Sequence, residues 1–91
     1  TCCVIICSKQ VSGRHISSVM HLAGVLNDGF LKDLTWENFK NVLRPKIGGL
    51  RSLKQAARMK DMIMFSSITS MIGNMGQTNY GAANGFLDGF I

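Results

Sequence analysis

The sequence predicts an α/β fold with a parallel sheet, because short apolar runs alternate with segments of helical periodicity. Three apolar runs have the length of buried strands: Cys2–Cys7, Ile16–Leu22 and Met62–Phe65. Between the second and third runs, apolar residues recur every three or four positions, as they do on the buried side of an amphipathic helix. This alternation indicates a βαβ arrangement.

The helical segment after the second run carries end signals. Asp33 or Thr35 can cap its start, and Glu37 stands in the first turn, where the helix dipole favours an acid. Pro45 is expected to kink or interrupt the helix at Arg44. The apolar stripe expected to face the core consists of Leu34, Phe39, Val42, Leu43, Ile47, Leu50, Leu53 and Ala57.

Composition and charge limit the class of protein. The 91 residues are enough for one small domain, and 46% hydrophobic residues is more typical of the interior of a larger α/β domain. No apolar run approaches the ~20 residues of a membrane span. The net charge is +5, but the basic residues are dispersed, as on solvated helix faces. We therefore expect neither a membrane nor a nucleic acid as partner.

The three cysteines do not form a recognisable metal or disulfide pattern. Cys2, Cys3 and Cys7 are odd in number, lack C-x-x-C spacing and have no nearby histidine pair. We interpret them as small apolar residues in a strand and expect no metal site. This usage is compatible with a reducing, cytoplasmic location.

The stretch from Phe65 to Asn84 carries the candidate chemistry. Serines follow the last strand, a glycine-containing loop comes next, and a helix is expected over about 78–90, with Phe86, Leu87 and Phe90 for the core. Tyr80 and Asn84 are spaced i and i+4, so they share a face of that helix. Ser67 and Tyr80 could meet at the carboxyl edge of the sheet, where open α/β sheets place their ligands.

Four blocks, taken in order, resemble the ketoreductase domain of modular polyketide synthases and animal-type fatty-acid synthases, a branch of the short-chain dehydrogenase/reductase superfamily. They are His21–Asp28, Leu34–Phe39, Pro45–Gly49 and Gly76–Asp88. The resemblance covers about 19–91, whereas 1–14 matches poorly. It implies that the chain is the C-terminal catalytic half of a Rossmann-like parallel-sheet domain.

The resemblance implies that Ser67, Tyr80, Lys46 and Asn84 are the catalytic residues. Tyr80 would donate a proton to the alkoxide that forms when a ketone is reduced. A free tyrosine has a pKa of ~10, so efficient transfer at neutral pH needs a nearby cation, which Lys46 can supply. Ser67 would hydrogen-bond the substrate carbonyl oxygen, and Asn84 would hold Lys46 or a water that returns a proton to the tyrosine.

The placement of the lysine is specific to the synthase branch. Classical short-chain dehydrogenases carry the lysine four residues after the tyrosine, whereas here Asn84 holds that position and Lys46 follows Pro45. This exchange disfavours a stand-alone dehydrogenase acting on small alcohols. Taken singly, each residue has an ordinary explanation: a packed helix tyrosine, a loop hydroxyl, a solvated lysine and a solvent-facing asparagine. Their joint occurrence in order along the chain, with Ser67 in the stretch from Phe65 to Asn84 and the others inside the matching blocks, favours the catalytic interpretation.

The cofactor implied by the resemblance is NADPH. Ala23 and Gly24, after a strand, would let backbone approach the nicotinamide-side ribose, together with Lys46 and Tyr80; a simple turn glycine would explain Gly24 alone equally well. The glycine-rich G-x-G-x-x-G turn that seats a pyrophosphate is missing from these 91 residues. We therefore expect the isolated chain to be inactive.

The resemblance also suggests the stereochemical class. Leu26-Asn27-Asp28 is similar to the Leu-Asp-Asp fingerprint of B-type ketoreductases, which give the D-configured hydroxyl, although Asn27 replaces the first acid. Ile72 stands eight residues before Tyr80, where A-type enzymes carry tryptophan. A B-type enzyme is expected, with a plain turn aspartate as the alternative for Asp28.

Together these expectations describe a partial ketoreductase domain. In the full protein it would reduce a β-ketoacyl thioester on an acyl carrier protein to the β-hydroxyacyl thioester, alongside the remaining domains of a multidomain synthase. The alternative is a catalytically inactive fragment or structural remnant of such a synthase.

Overall fold

The computed structural model describes residues 16–56 and 59–90. Along the chain it contains β1 (Ser18–His21), α1 (Trp36–Leu43), a π-helical turn (Arg44–Gly48, hereafter the π-turn), α2 (Gly49–Ala56), β2 (Asp61–Met64), α3 (Thr69–Ile72) and α4 (Thr78–Asp88). The strand predicted over Cys2–Cys7 lies outside the described residues.

The two strands form a parallel sheet, as the alternating pattern predicts. Ser18 lies opposite Asp61 and His21 opposite Met64. Phe65 prolongs the ladder by one hydrogen bond, because its N–H donates to the His21 carbonyl at 3.0 Å. Since the strands run the same way, the segments that follow them leave the sheet side by side at its carboxyl edge.

Helix α1 begins with a capping box at Thr35. The Thr35 hydroxyl accepts from the Asn38 N–H at 3.2 Å, and the Thr35 N–H donates to Asn38 Oδ1 at 2.8 Å. Of the two caps that the sequence allowed, Thr35 is the one used. Glu37 stands in the first turn and pairs with Lys40 at 2.7 Å, one turn along the same helix.

Pro45 changes the helix at the predicted place but does not end it. The backbone widens into the π-turn at Arg44 and continues directly into α2, and the Gly49 N–H reaches back to the Arg44 carbonyl. A proline has no N–H for the i→i−4 bond and its ring crowds the preceding turn, so a wider turn relieves both constraints. Lys46 therefore lies in the middle of an irregular turn.

The core lies between the helices and is small. Val42 of α1, Leu50 of α2, and Ala83 and Leu87 of α4 are buried, and α4 packs against both α1 and the π-turn. Val42, Leu50 and Leu87 are thus confirmed as core residues. The sheet is open on one face, where the paired residues Met20 and Ile63 are both exposed.

The segment between β2 and α4 contains one element that the sequence did not predict. The four-residue helix α3 occupies part of the expected glycine loop, and left-handed backbone at Gly73 and Gly76 carries the chain onward to α4. Helix α4 begins at Thr78 as expected and ends at Asp88, two residues before the predicted end. None of the helices in the described part of the chain is long and apolar enough to cross a membrane.

Truncating Leu87 should loosen the helical core. Leu87→Ala removes a side chain that is 1% exposed, and the cavity should lower the free energy of local opening by about 2–5 kcal/mol. Hydrogen exchange of α4 amides in the whole protein measures this change. Leu31→Ala, the same truncation at a residue that is 62% exposed, is the matched control and should leave protection unchanged. Equal effects of the two substitutions would contradict the assigned core.

Candidate active site

Lys46 and Tyr80 lie together next to the carboxyl edge of the sheet. The Lys46 residue is 4% exposed, and its Nζ donates to the Phe65 carbonyl, just after β2, at 2.9 Å. The same Nζ lies 5.7 Å from the centroid of the Tyr80 ring, within the range of a cation–π contact. A freely solvated Lys46 is therefore excluded, and the cation that the sequence analysis sought for Tyr80 is adjacent to it.

Burial changes the proton affinity of this lysine. Removal from water disfavours the charged ammonium and lowers the pKa of Lys46, while the negative charge of Asp88 acts in the opposite direction. The pKa of the Asp88 carboxyl is itself lowered, first by a hydrogen bond from Ser70, then by one from Ser66, and further by the charge of Lys46. The site thus combines a desolvated cation with a stabilised anion near it.

The segment after β1 passes directly beside Lys46. A Cβ placed on Gly24 would lie 3.4 Å from Lys46 Cε, an ordinary van der Waals contact, so the backbone at Gly24 runs directly beside the lysine stem. Ala23 and Gly24 are both exposed. The two residues predicted to face a cofactor therefore present open backbone at the point where the Lys46 side chain passes.

Asn84 is completely buried on α4, which excludes a solvent-facing role. Its Nδ2 donates to the Tyr80 carbonyl at 2.8 Å, one turn earlier. Its Oδ1 is buried without a hydrogen-bond partner among the described residues. The Lys46 ammonium donates its hydrogen bond to the Phe65 carbonyl. The expectation that Asn84 holds Lys46 or a water therefore stays a prediction, and Asn84 Oδ1 is the atom that can still accept a hydrogen bond.

Ser67 is half-buried at the start of the segment that leads to α3. Its Oγ accepts from the Thr69 N–H at 3.3 Å and from the Thr69 hydroxyl at 3.0 Å. Both contacts use the oxygen as an acceptor, which leaves the Ser67 O–H available as a donor. Within residues 16–56 and 59–90, no hydrogen bond joins Ser67 to Tyr80.

Asp28 is held by a residue that the sequence analysis did not single out. Gln77, three residues before Tyr80, donates from Nε2 to Asp28 Oδ2 at 3.0 Å. Beside this contact the Gly29 N–H donates to the Gly76 carbonyl at 2.8 Å. The loop after β1 is therefore fastened to the start of the helix that carries Tyr80.

Asn79 strengthens the same junction from inside. It is completely buried, its Nδ2 donates to the Asn27 carbonyl at 2.8 Å, and its Oδ1 accepts from the Tyr80 N–H at 2.8 Å. A buried amide with both ends paired fixes its neighbours rather than merely filling space. The only indication in the sequence that Asn79 matters was its place inside the block Gly76–Asp88. A motif block does not show that Asn79 bonds to Asn27, which lies 52 positions earlier in the chain.

A buried lysine thus lies beside a tyrosine at the carboxyl edge of a parallel sheet in this α/β domain. Comparison with protein families specifies it further. Residues 4–91 match the model of the KR domain family, so the chain belongs to the ketoreductase domain family. The match begins upstream of the motif blocks, which start near residue 19.

Curated relatives and solved structures agree with this assignment. Polyketide synthase 19 of Gibberella fujikuroi is 44% identical over 77 residues, and the phenolphthiocerol synthesis polyketide synthase type I Pks15/1 of Mycobacterium marinum is 42% identical over 85 residues. These alignments cover 79% and 88% of this chain but only 3% and 4% of the relatives.

Two solved ketoreductases have the same fold. The N-terminal ketoreductase from the macrolactin assembly line superposes with a TM-score of 0.82 at 30% identity, covering 98% of this chain and 19% of that one. The first ketoreductase of the tylosin polyketide synthase gives 0.81 at 33% identity, covering 92% and 19%. The resemblance and the Rossmann-like α/β fold expected from the sequence are thereby confirmed.

The lowered pKa of Lys46 should make stability depend on pH. Burial destabilises the folded protein while Lys46 is charged, because the ammonium loses hydration on folding. This loss of stability is complete below the lowered pKa of the folded state and disappears as pH rises to ~10.4, the ordinary pKa of lysine in the unfolded chain. Relative to Lys46→Met, the wild type should therefore gain stability as pH rises through this window. Denaturation of the whole protein at a series of alkaline pH values measures the difference.

The control for that measurement is Lys32→Met, which removes a lysine that is exposed. The quantity compared is the free energy of unfolding of the wild type and of Lys46→Met. A desolvated ammonium would be contradicted if their difference stayed constant with pH, or if the wild type lost stability relative to Lys46→Met as pH rose.

Proposed function

We propose that the whole protein containing this chain is the ketoreductase of a polyketide or fatty-acid synthase. It would reduce a β-ketoacyl thioester, carried on an acyl carrier protein, to the β-hydroxyacyl thioester with NADPH. The observation that carries the proposal is the buried Lys46 ammonium beside the Tyr80 ring. Family membership and relatives that are polyketide synthases support it.

Tyr80 is assigned the proton transfer. As the ketone becomes an alkoxide, the Tyr80 phenol gives its proton to that oxygen and is left as a phenolate. The positive charge of Lys46 stabilises this phenolate, and burial of the lysine reduces the screening of that charge by water, while Tyr80 itself is half-buried. Lys46 therefore acts on Tyr80 and need not touch the substrate oxygen.

Ser67 and Asn84 complete the proposed machinery. The free O–H of Ser67 can donate to the substrate carbonyl and share the charge that develops on its oxygen. Asn84 Oδ1, buried without a partner among the described residues, can accept from a water that returns a proton towards Tyr80. Each role uses the atom that the surrounding hydrogen bonds leave available.

The residues present fit a nicotinamide cofactor, which supplies the hydride when it is bound. The open backbone of Ala23 and Gly24 adjoins the Lys46 stem, and the ammonium uses one hydrogen bond to Phe65, so it keeps donors for ribose hydroxyls. Ala23, Gly24, Lys46 and Tyr80 would hold the nicotinamide end. The choice of NADPH over NADH rests on the resemblance.

The setting of the reaction is also proposed from the resemblance. Because the chain spans 3–4% of the first two curated relatives, the acyl carrier protein and the remaining synthase domains would be supplied by the rest of the protein. A cytoplasmic location is proposed on the same basis.

The direct test is reduction of a β-ketoacyl thioester by the whole protein. Loss of cofactor absorbance and appearance of the β-hydroxyacyl product are measured with NADPH and with NADH. Turnover that is faster with NADPH is the expected result. A folded protein that produces no hydroxyacyl thioester with either cofactor would instead support the inactive remnant.

Tyr80→Phe should lower kcat by at least ~100-fold, the usual contribution of a general acid. The ring that faces Lys46 remains, so the fold and the cation–π contact should persist. Steady-state kinetics of the reduction, with circular dichroism as the check on folding, measures the effect. Retention of the full rate by the folded variant would remove Tyr80 from its assigned role.

Asp28→Ala should reduce the fraction of D-configured product, on the proposal that this is a B-type enzyme. The substitution removes the hydrogen bond from Gln77 and loosens the loop after β1 against α4. Chiral chromatography of the β-hydroxy product gives the ratio. Asp33→Ala removes an exposed carboxylate from the turn that follows and serves as the control. An unchanged ratio in Asp28→Ala would contradict the stereochemical role.

A further inference from the structure

We propose that His21 is a positioning residue for Lys46, a role that rests on the proposed function. His21 is the last residue of β1 and is 4% exposed. Its Nε2 lies 2.8 Å from the backbone carbonyl of Lys46, 25 positions further along the chain. The imidazole thus joins the sheet to the π-turn at the residue whose charge matters most.

Three hydrogen bonds close into a ring that contains this contact. His21 Nε2 bonds the Lys46 carbonyl at 2.8 Å, Lys46 Nζ bonds the Phe65 carbonyl at 2.9 Å, and the Phe65 N–H bonds the His21 carbonyl at 3.0 Å. Lys46 is therefore held at its backbone by β1 and at its ammonium by the end of β2. A long flexible side chain fixed at both ends retains little freedom to leave Tyr80.

The chemistry of the ring determines the state of the imidazole. A carbonyl oxygen can only accept, so Nε2 must carry a proton for the His21–Lys46 bond to exist. A histidine protonated only on Nδ1 would place a lone pair against that oxygen. The protonation of Nε2 is therefore a direct spectroscopic test of the ring in the unmodified protein.

Gly48, the last residue of the π-turn, and Gly49, the first of α2, provide a matched pair of perturbations. A Cβ on Gly49 would lie 3.0 Å from His21 Cε1, tighter than nine in ten real Cβ contacts, so the buried ring has to shift by a few tenths of an ångström to accept it. A Cβ on the preceding Gly48 would meet nothing within 4 Å. Both substitutions to alanine add the same methyl group to adjacent helical positions, but only Gly49→Ala disturbs His21.

The kinetic experiment compares Gly49→Ala with Gly48→Ala in the whole protein. Displacing Lys46 should lower kcat by ~10-fold or more in Gly49→Ala, because small misplacements of catalytic groups are costly, while KM for the thioester changes little. Gly48→Ala should behave as wild type. Equal kcat values for the two variants would overturn the proposal.

Direct substitution of His21 supplies the second arm. His21→Leu removes the donor, whereas His21→Gln keeps an amide N–H near the position of Nε2. We expect kcat to fall in His21→Leu and to be largely restored in His21→Gln, without a parallel change in KM. If both variants fold and neither differs from wild type, His21 does not position Lys46.

A readout independent of turnover separates this proposal from the proposed function. Acetic anhydride labels lysines according to access, and mass spectrometry gives the ratio of Lys46 to exposed Lys32. Release of Lys46 should raise this ratio severalfold in Gly49→Ala and His21→Leu, but not in Gly48→Ala. An unchanged labelling ratio in Gly49→Ala and His21→Leu would overturn the proposal. Nitrogen chemical shifts that show an unprotonated Nε2 on His21 of the wild type would also overturn it.

The two proposals can therefore fail separately. A wild-type protein that reduces no thioester, yet shows the expected labelling ratios and a protonated Nε2, would refute the ketoreductase activity and leave the His21–Lys46 link standing. Normal reduction with unchanged labelling ratios would refute the link alone.

Discussion

A charged lysine kept almost out of water is the constraint on which this structure depends. Burying an ammonium costs several kcal/mol unless other groups compensate for the lost hydration. Here the compensation comes from the Phe65 carbonyl, the face of the Tyr80 ring and the more distant charge of Asp88. The compensation is incomplete, since the pKa of Lys46 remains lowered by burial. An ammonium held at this cost is screened less by solvent than an exposed one would be when it acts on the half-buried Tyr80.

The fold supplies this arrangement through backbone features. Parallel pairing brings the ends of β1 and β2 to one edge, where Gly24 adjoins the lysine stem and the Phe65 carbonyl accepts a hydrogen bond from the ammonium. Pro45 prevents a regular helix in front of Lys46, and the wider π-turn places that residue between the sheet and α4. Irregular turns of this kind inside helices are frequent at functional sites.

Local patterns in the sequence were sufficient for much of this picture. Apolar runs located β1 and β2, one of the two candidate caps, Thr35, marks the start of α1, and helical spacing identified Val42 and Leu50 as core. Each of these features is determined by neighbours within a few positions. Three of the four proposed catalytic residues, Lys46, Tyr80 and Asn84, lie in motif blocks, which specify residue types and their order, and Ser67 belongs to the serines that follow β2.

What the sequence did not predict depends on contacts between distant positions. Pro45 permitted a kink or a break, whereas the structure carries the helix on through a π-turn that packs against α4. The roles of His21 and Asn79 depend on hydrogen bonds that span 25 and 52 positions. The helix α3 has four residues, too few for a periodic signal. No local pattern contains such information.

The most direct test of the account follows the hydride. The whole protein would reduce a β-ketoacyl thioester with NADPH carrying deuterium at the transferable C4 position, and mass spectrometry would locate the label in the product. We expect one deuterium on the β-carbon of the hydroxyacyl thioester and a hydroxyl proton drawn from solvent. A reduced product without deuterium at that carbon would contradict it, since the hydride would then have another source.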